Sequence, residues 1–124
     1  MGKILDIVVV DDKVMITDLF ESYIRLSGAN VNIYTFNDPI KALEFINSSK
    51  HIDIIITDYK MPGLNGIELL KACPMDSLRI LISGYVSDIA EEKLAELHAI
   101  FFEKPVPMKQ ISKIIEEKAY SSCG

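Results

Sequence analysis

Five short runs rich in Val, Ile and Leu recur along the chain, and each is followed by a stretch whose apolar residues fall three and four positions apart. Continuous apolar runs of this length suit strands, and a period near 3.6 suits helices, so the alternation prescribes strand-helix units around a parallel sheet. Ile4 to Val10, Ile54 to Thr57 and Leu78 to Ile82 carry few polar interruptions and are expected as central strands covered on both faces. Val31 to Phe36, with Asn32 and Thr35 interleaved, fits a sheet edge, and Ile100 to Glu103 supplies a shorter fifth strand.

The helical stretches carry their own punctuation. Val14 to Ser27 places Met15, Leu19, Phe20, Tyr23 and Ile24 on one stripe, with Gly28 where a left-handed cap falls. Asp38 before Pro39 reads as an N-cap and first helical position, opening a helix that buries Ala42, Leu43 and Ile46. Asn65 with Glu68 resembles a capping box before Leu69 and Leu70. Ser87 is expected to cap a fourth helix through Ile89, Leu94 and Leu97, and Pro107 to start a fifth with Met108, Ile111, Ile114 and Ile115 inward. The architecture that follows is α/β, a doubly wound five-stranded parallel sheet whose right-handed crossovers bring the C-terminal strand ends to one edge, where ligands bind in such folds.

Bulk properties narrow the function classes. The 124 residues, 49% hydrophobic, suit one domain over residues 1–124 with one core. A formal charge of -5 opposes direct nucleic-acid binding, which needs clustered cations. No run approaches the roughly 20 apolar residues of a membrane span, and no secretory signal is visible, so a cytoplasmic location is expected. Cys73 and Cys123 match neither a zinc spacing nor a disulfide framework and read as free thiols.

The chemistry lies at the strand ends. Asp11 and Asp12 close the first strand, Asp58 the third, Ser83 the fourth, and Lys104 with Pro105 follows the fifth. Carboxylates gathered at one crevice repel by roughly 3 kcal/mol per pair at about 5 Å and an effective dielectric near 20. A hard dication relieves that repulsion, and magnesium suits a site of carboxylates, waters and a phosphate; Lys104 adds positive charge. Each residue also has a plainer role: Asp11 or Asp12 as a helix cap, Asp58 as a turn residue, Lys104 as a solvated lysine, Ser83 as a loop hydroxyl. Four independent strand ends each carrying a residue type that phosphoryl chemistry uses outweigh those separate explanations.

On these residues, together with the run Asp58, Met61, Pro62, Gly63 and Gly66, the small Gly84 after Ser83, and Lys104 before Pro105, the whole chain resembles the CheY-like receiver domains of two-component response regulators. The resemblance implies a flavodoxin-like (βα)5 fold with strand order 2-1-3-4-5. It implies that Asp58 accepts a phosphoryl group from a histidine kinase or histidine phosphotransfer protein. It also implies that Asp11, Asp12, Asp58 and the Lys60 backbone carbonyl hold Mg2+, with Mn2+ as a substitute, and that Lys104 and Ser83 contact the phosphoryl oxygens. Asp11 would act mainly through water.

Ser83 and Phe101 would form the switch, coupled to the surface of the fourth helix, fifth strand and fifth helix; core packing is the plainer role for Phe101. Phenylalanine stands where tyrosine is commoner and brings no hydroxyl. The Lys104–Pro105 peptide is expected cis, and Lys60 and Tyr85 are expected to shield the phosphoryl group from water. Such a chain is not an enzyme beyond magnesium-dependent self-phosphorylation and self-dephosphorylation. It signals to a downstream protein or to an output domain outside these residues, with phosphorylation-dependent dimerisation as a further expectation.

Three other readings compete. A haloacid-dehalogenase-like phosphatase wants two aspartates separated by one residue, whereas Asp11 and Asp12 are adjacent. A receiver-like interaction module without phosphate chemistry would not need the full residue set. Dinucleotide binding would require a glycine-rich first turn where Asp11, Asp12 and Lys13 stand.

Overall fold

The alternation of periods becomes ten elements in a computed structural model, which describes residues 4–28, 30–48, 51–84 and 91–121. In chain order they are β1 (Leu5–Val10), α1 (Val14–Leu26), β2 (Val31–Phe36), α2 (Pro39–Ser48), β3 (Ile54–Asp58), α3 (Gly66–Ala72), β4 (Leu78–Ser83), α4 (Glu91–Leu97), β5 (Ala99–Glu103) and α5 (Met108–Ser121). All strand pairings are parallel, and the sheet order is β2-β1-β3-β4-β5. β1, β3 and β4 are almost wholly buried, as their unbroken apolar runs require, whereas β2 at one edge is mostly half-buried.

Alternate side chains of each strand feed two cores. Ile7, Val9, Ile54, Ile56, Ile80 and Ile82 pack with Phe20 and Ile24 of α1 and Ile111 and Ile115 of α5. Val8, Val10, Ile55 and Leu81 pack on the other face with α2, α3 and α4 through Ala42, Ile46, Leu69, Leu70 and Leu97. Tyr34, Phe36 and Phe45 form a tilted aromatic group where α2 covers the β2 edge.

Local signals act as their chemistry dictates, with one correction. Asn65 and Glu68 form the reciprocal capping box, Asp38 Oδ1 accepts from the Ile40 N–H at 2.9 Å, and Gly28 is left-handed at φ 79 after α1. In α1, however, Met15 and Leu19 are exposed, and the inward stripe is Thr17, Phe20 and Ile24. Thr17 satisfies its buried hydroxyl on the Val14 carbonyl at 3.1 Å, which lets a polar residue take the place expected of Met15 or Leu19. The expected Ser87 cap and Ile89 lie outside the described residues, as does Tyr85; Leu94 and Leu97 face the core.

The amino-terminal edge of the sheet is stitched by Asp53. Its N–H donates to the Asp6 carbonyl at 2.9 Å, its carboxylate accepts from the Asp6 N–H at 2.8 Å, and its own carbonyl accepts from the Leu78 N–H at 2.9 Å. Ser77 adds a hydroxyl bond to the Ile52 carbonyl at 2.6 Å, so β1, β3 and β4 start from one hydrogen-bonded belt.

Candidate functional site

Parallel strands deliver their last residues to a common edge, and the ends of β1, β3, β4 and β5 converge here. Asp11 leaves β1 almost fully buried, its N–H donating to the Phe36 carbonyl and its Oδ1 accepting from the Lys13 N–H at 2.9 Å. Asp58 is the last residue of β3 and is 7% exposed. One carboxylate oxygen from each of Asp11, Asp12 and Asp58 lies within 4.8 Å of the others. Ser83 ends β4 buried, and its carbonyl accepts from the Lys104 N–H at 2.9 Å, which fixes the residue after β5 beside it. Lys104 then reaches across to place its ammonium 3.2 Å from Oδ1 of Asp58. The Lys104–Pro105 peptide is cis.

The electrostatics match this crowding. Burial, chiefly, raises the Asp11 carboxyl above its ordinary 3.8, and the charges of Asp58 and Asp12 push the same way; the Lys13 N–H and Lys104 oppose them. Three carboxylates offer only hard oxygen donors, a set that fits Mg2+ or Mn2+ and not a soft metal. Beside them opens a cavity lined by Lys13, Asp58, Lys60, Ser83, Gly84 and Lys104, where three lysines offset the acidic floor. The cationic lining suits an anion, and the Asp58 carboxylate lies among the same lining residues.

Of the residues singled out from sequence, Asp11, Asp12, Asp58, Ser83 and Lys104 meet at this edge, and Lys60 lines the cavity. Phe101 stands apart on β5, half-buried against the core shared by α2, α3 and α4, in register with Leu81 and two residues before Glu103 opposite Ser83.

Sequence reasoning missed two supports. Asn37 donates its amide to the Asp11 carbonyl at 2.8 Å and to the Thr17 hydroxyl at 3.1 Å, clamping the turn that presents the acidic pair. Its place directly after β2, at the same strand-end edge, was the available signal. Gly66, read as part of a run, has a steric role. A Cβ there would collide with the Asp58 carbonyl and lie 2.6 Å from the Leu81 side chain, while its N–H donates to the Tyr59 carbonyl at 2.7 Å.

Residues 7–116 match the response regulator receiver domain family. The chain is 30% identical over 129 residues to the two-component response regulator ARR16 of Arabidopsis thaliana, covering 89% of this chain and 77% of that protein. ARR21, a longer relative from the same plant, is 30% identical over 115 residues, and there the chain covers only 18% of the relative's length. Among solved structures, a CheY-like response regulator receiver domain protein from Methanospirillum hungatei superposes with a TM-score of 0.76 at 25% identity, over 97% of each chain.

Proposed function

Because the chain belongs to the response regulator receiver family of two-component systems, we propose that it carries signals by accepting a phosphoryl group on Asp58. The observation that bears most weight is the pairing of a strand-end carboxylate with a lysine ammonium at the base of a cation-lined cavity. A carboxylate oxygen of Asp58 forms the new bond to phosphorus as the donor's phosphorus–nitrogen bond breaks, and the departing imidazole keeps its electron pair and takes up a proton. The donor is a histidine kinase or a histidine phosphotransfer protein.

Asp11, Asp12 and Asp58, with the Lys60 carbonyl, would hold magnesium, which when bound supplies positive charge to the phosphoryl oxygens. Lys104 donates to one of those oxygens and Ser83 to another, so charge that develops in transfer meets groups already in place. Lys60, which lines the cavity, slows hydrolysis of the product. Asp58 lines the cavity beside Lys104 whereas the Asp11 carboxylate is occupied by the Lys13 N–H, which favours Asp58 over Asp11 as nucleophile.

An aspartyl phosphate adds roughly 1.5 to 2 negative charges and strong acceptors. Ser83 is drawn toward it, Phe101 turns further inward, and the surface of α4, β5 and α5 changes for a downstream protein or output domain.

Incubation with Mg2+ and acetyl phosphate tests this directly. Intact mass should rise by one phosphoryl group, on Asp58, and the gain should vanish in Asp58→Asn and without a divalent ion. No uptake, or uptake that survives Asp58→Asn, would overturn the proposal.

A further inference from the structure

Arg79 is an unusual occupant of a central strand. It is fully buried on β4, and its alternation with Leu81 and Ser83 puts all three on the face covered by α3 and α4. Among the described residues its Nε is a buried side-chain atom without a hydrogen-bond partner. The rest of the guanidinium serves main-chain oxygens: Nη2 donates to the Cys73 and Pro74 carbonyls at 2.8 Å each, and Nη1 donates to the Leu97 carbonyl at 3.3 Å. Cys73 caps the C-terminus of α3, and Leu97 is the last residue of α4.

Helix C-termini present unpaired carbonyls and a partial negative charge, so one cation here satisfies two helix ends at once. His98, left-handed at φ 52 with its N–H on the Ala95 carbonyl at 3.1 Å, closes α4 at the same point. Burial pulls the guanidinium below its ordinary value, and the neighbouring Cys73 and Asp76 oppose that shift.

We infer that Arg79 is the fixed point about which α4 turns when the other end of β4 responds to phosphorylation, a positioning residue acting through α4 on the output surface. Ser83 stands four residues further along the same strand face, in the cavity beside Asp58. The strand therefore carries a sensing group at one end and an anchor for α4 at the other. With its C-terminus tied to the end of α3, α4 can answer a pull on Ser83 only by moving its amino-terminal half. The inference rests on the receiver reading given above.

The test uses backbone amide resonances of the full chain with and without Mg2+ and beryllofluoride. In the unmodified protein, shift changes on loading should concentrate at residues 91–94 and fade by residues 97–99. In Arg79→Met, exchange of the amides of residues 95–98 should speed up by about tenfold in both states, since the Leu97 carbonyl that ends α4 loses its donor. The loading response should then spread to residues 97–99, while the magnesium midpoint stays within about twofold because the acidic cluster lies at the opposite end of the strand.

Equal shift changes at both ends of α4 in the unmodified protein, or unchanged exchange in the variant, would overturn the inference. Arg79→Lys, which keeps the charge but cannot reach both helix ends as a fork, gives the same contrasts should Arg79→Met not fold. Failure of beryllofluoride to bind at all overturns the phosphoacceptor reading and the turning of α4 together. Anchoring by Arg79 is judged separately, from amide exchange without the mimic.

Discussion

The Lys104 ammonium nitrogen sits 3.2 Å from Oδ1 of Asp58, an ion pair that joins the end of β3 to the residue after β5. Asp58 is nearly buried and Lys104 partly exposed, so the lysine can follow charge that moves from the carboxylate onto a bound anion. Lys104→Ala should keep part of the phosphorylation yet weaken beryllofluoride binding by about 2 kcal/mol, roughly thirtyfold, the worth of a charge-assisted hydrogen bond. A fluorescence or calorimetric titration measures the loss, and unaltered affinity would remove Lys104 from the site.

Asp11 sets a pH dependence. Its carboxyl is raised above 3.8 in the folded chain, mainly by burial, so its ionised form costs stability at neutral pH when no divalent ion is bound. The folded state takes up the proton first, and the cost fades as pH falls through the raised value toward 3.8. Asp11→Asn should therefore exceed the unmodified protein in stability at pH 7 without metal, with the gap closing toward pH 4. Mg2+ should stabilise the unmodified protein more than the variant, and less so on acidification. Urea unfolding with and without Mg2+ across this range decides it.

Gly66→Ala should destabilise the chain by roughly 1 to 3 kcal/mol, the cost of overpacking, because the new methyl must displace the Asp58 carbonyl or the Leu81 side chain. The displaced backbone carries Asp58, the proposed phosphoacceptor, so uptake from acetyl phosphate should slow in the fraction that remains folded. Denaturant midpoints and phosphorylation rates together check both effects.

Asn37→Ala removes the donor shared by the Asp11 carbonyl and the Thr17 hydroxyl and should cost about 1 kcal/mol. Asn37→Asp should cost more, since it sets a carboxylate against a carbonyl beside the acidic cluster. Magnesium affinity should fall in Asn37→Ala, where the turn that presents the acidic pair loses its clamp, as read by titration.

Cys73 gives a second, alkaline signature. Burial pushes its thiol up to about 11, against the pull of Arg79. Between pH 9 and about 11 the unfolded chain loses the thiol proton while the folded chain keeps it, so stability falls by about 2 kcal/mol across that window. Cys73→Ala should lack this component, and unfolding free energies of the two proteins at pH 8 and pH 11 measure the difference.

Central and edge strands were legible because burial on both faces leaves an unbroken apolar run, as in Ile54 to Thr57, and an edge leaves an interrupted one, as in Val31 to Phe36, whereas the strand order was legible only through the family resemblance. Strand ends at Asp11, Asp58 and Ser83 were legible because a polar residue terminates each run. The inward face of α1 was not, because Thr17 is buried by virtue of a local hydroxyl bond and a contact with Asn37, neither of which leaves a hydrophobic trace. Arg79 escaped for the same reason: an arginine in an apolar run is read as an interruption, and only the tertiary arrangement of two helix ends makes it a core residue. Asn37 works through its side chain on another strand's carbonyl, a relation that spacing along the chain does not encode.

The belt around Asp53 has a mechanical corollary. At the edge where the strands begin, β1, β3 and β4 are laced by side-chain and backbone bonds, while at the edge where they finish three acids press on one another. Thermal fraying should start at the acidic rim and travel toward the laced one, leaving Asp6, Asp53 and Leu78 among the last amides to open. A phosphoryl group and its counter-ion would then act as a clasp on the frayed rim, and occupancy would be felt as a tightening of the whole sheet from one side.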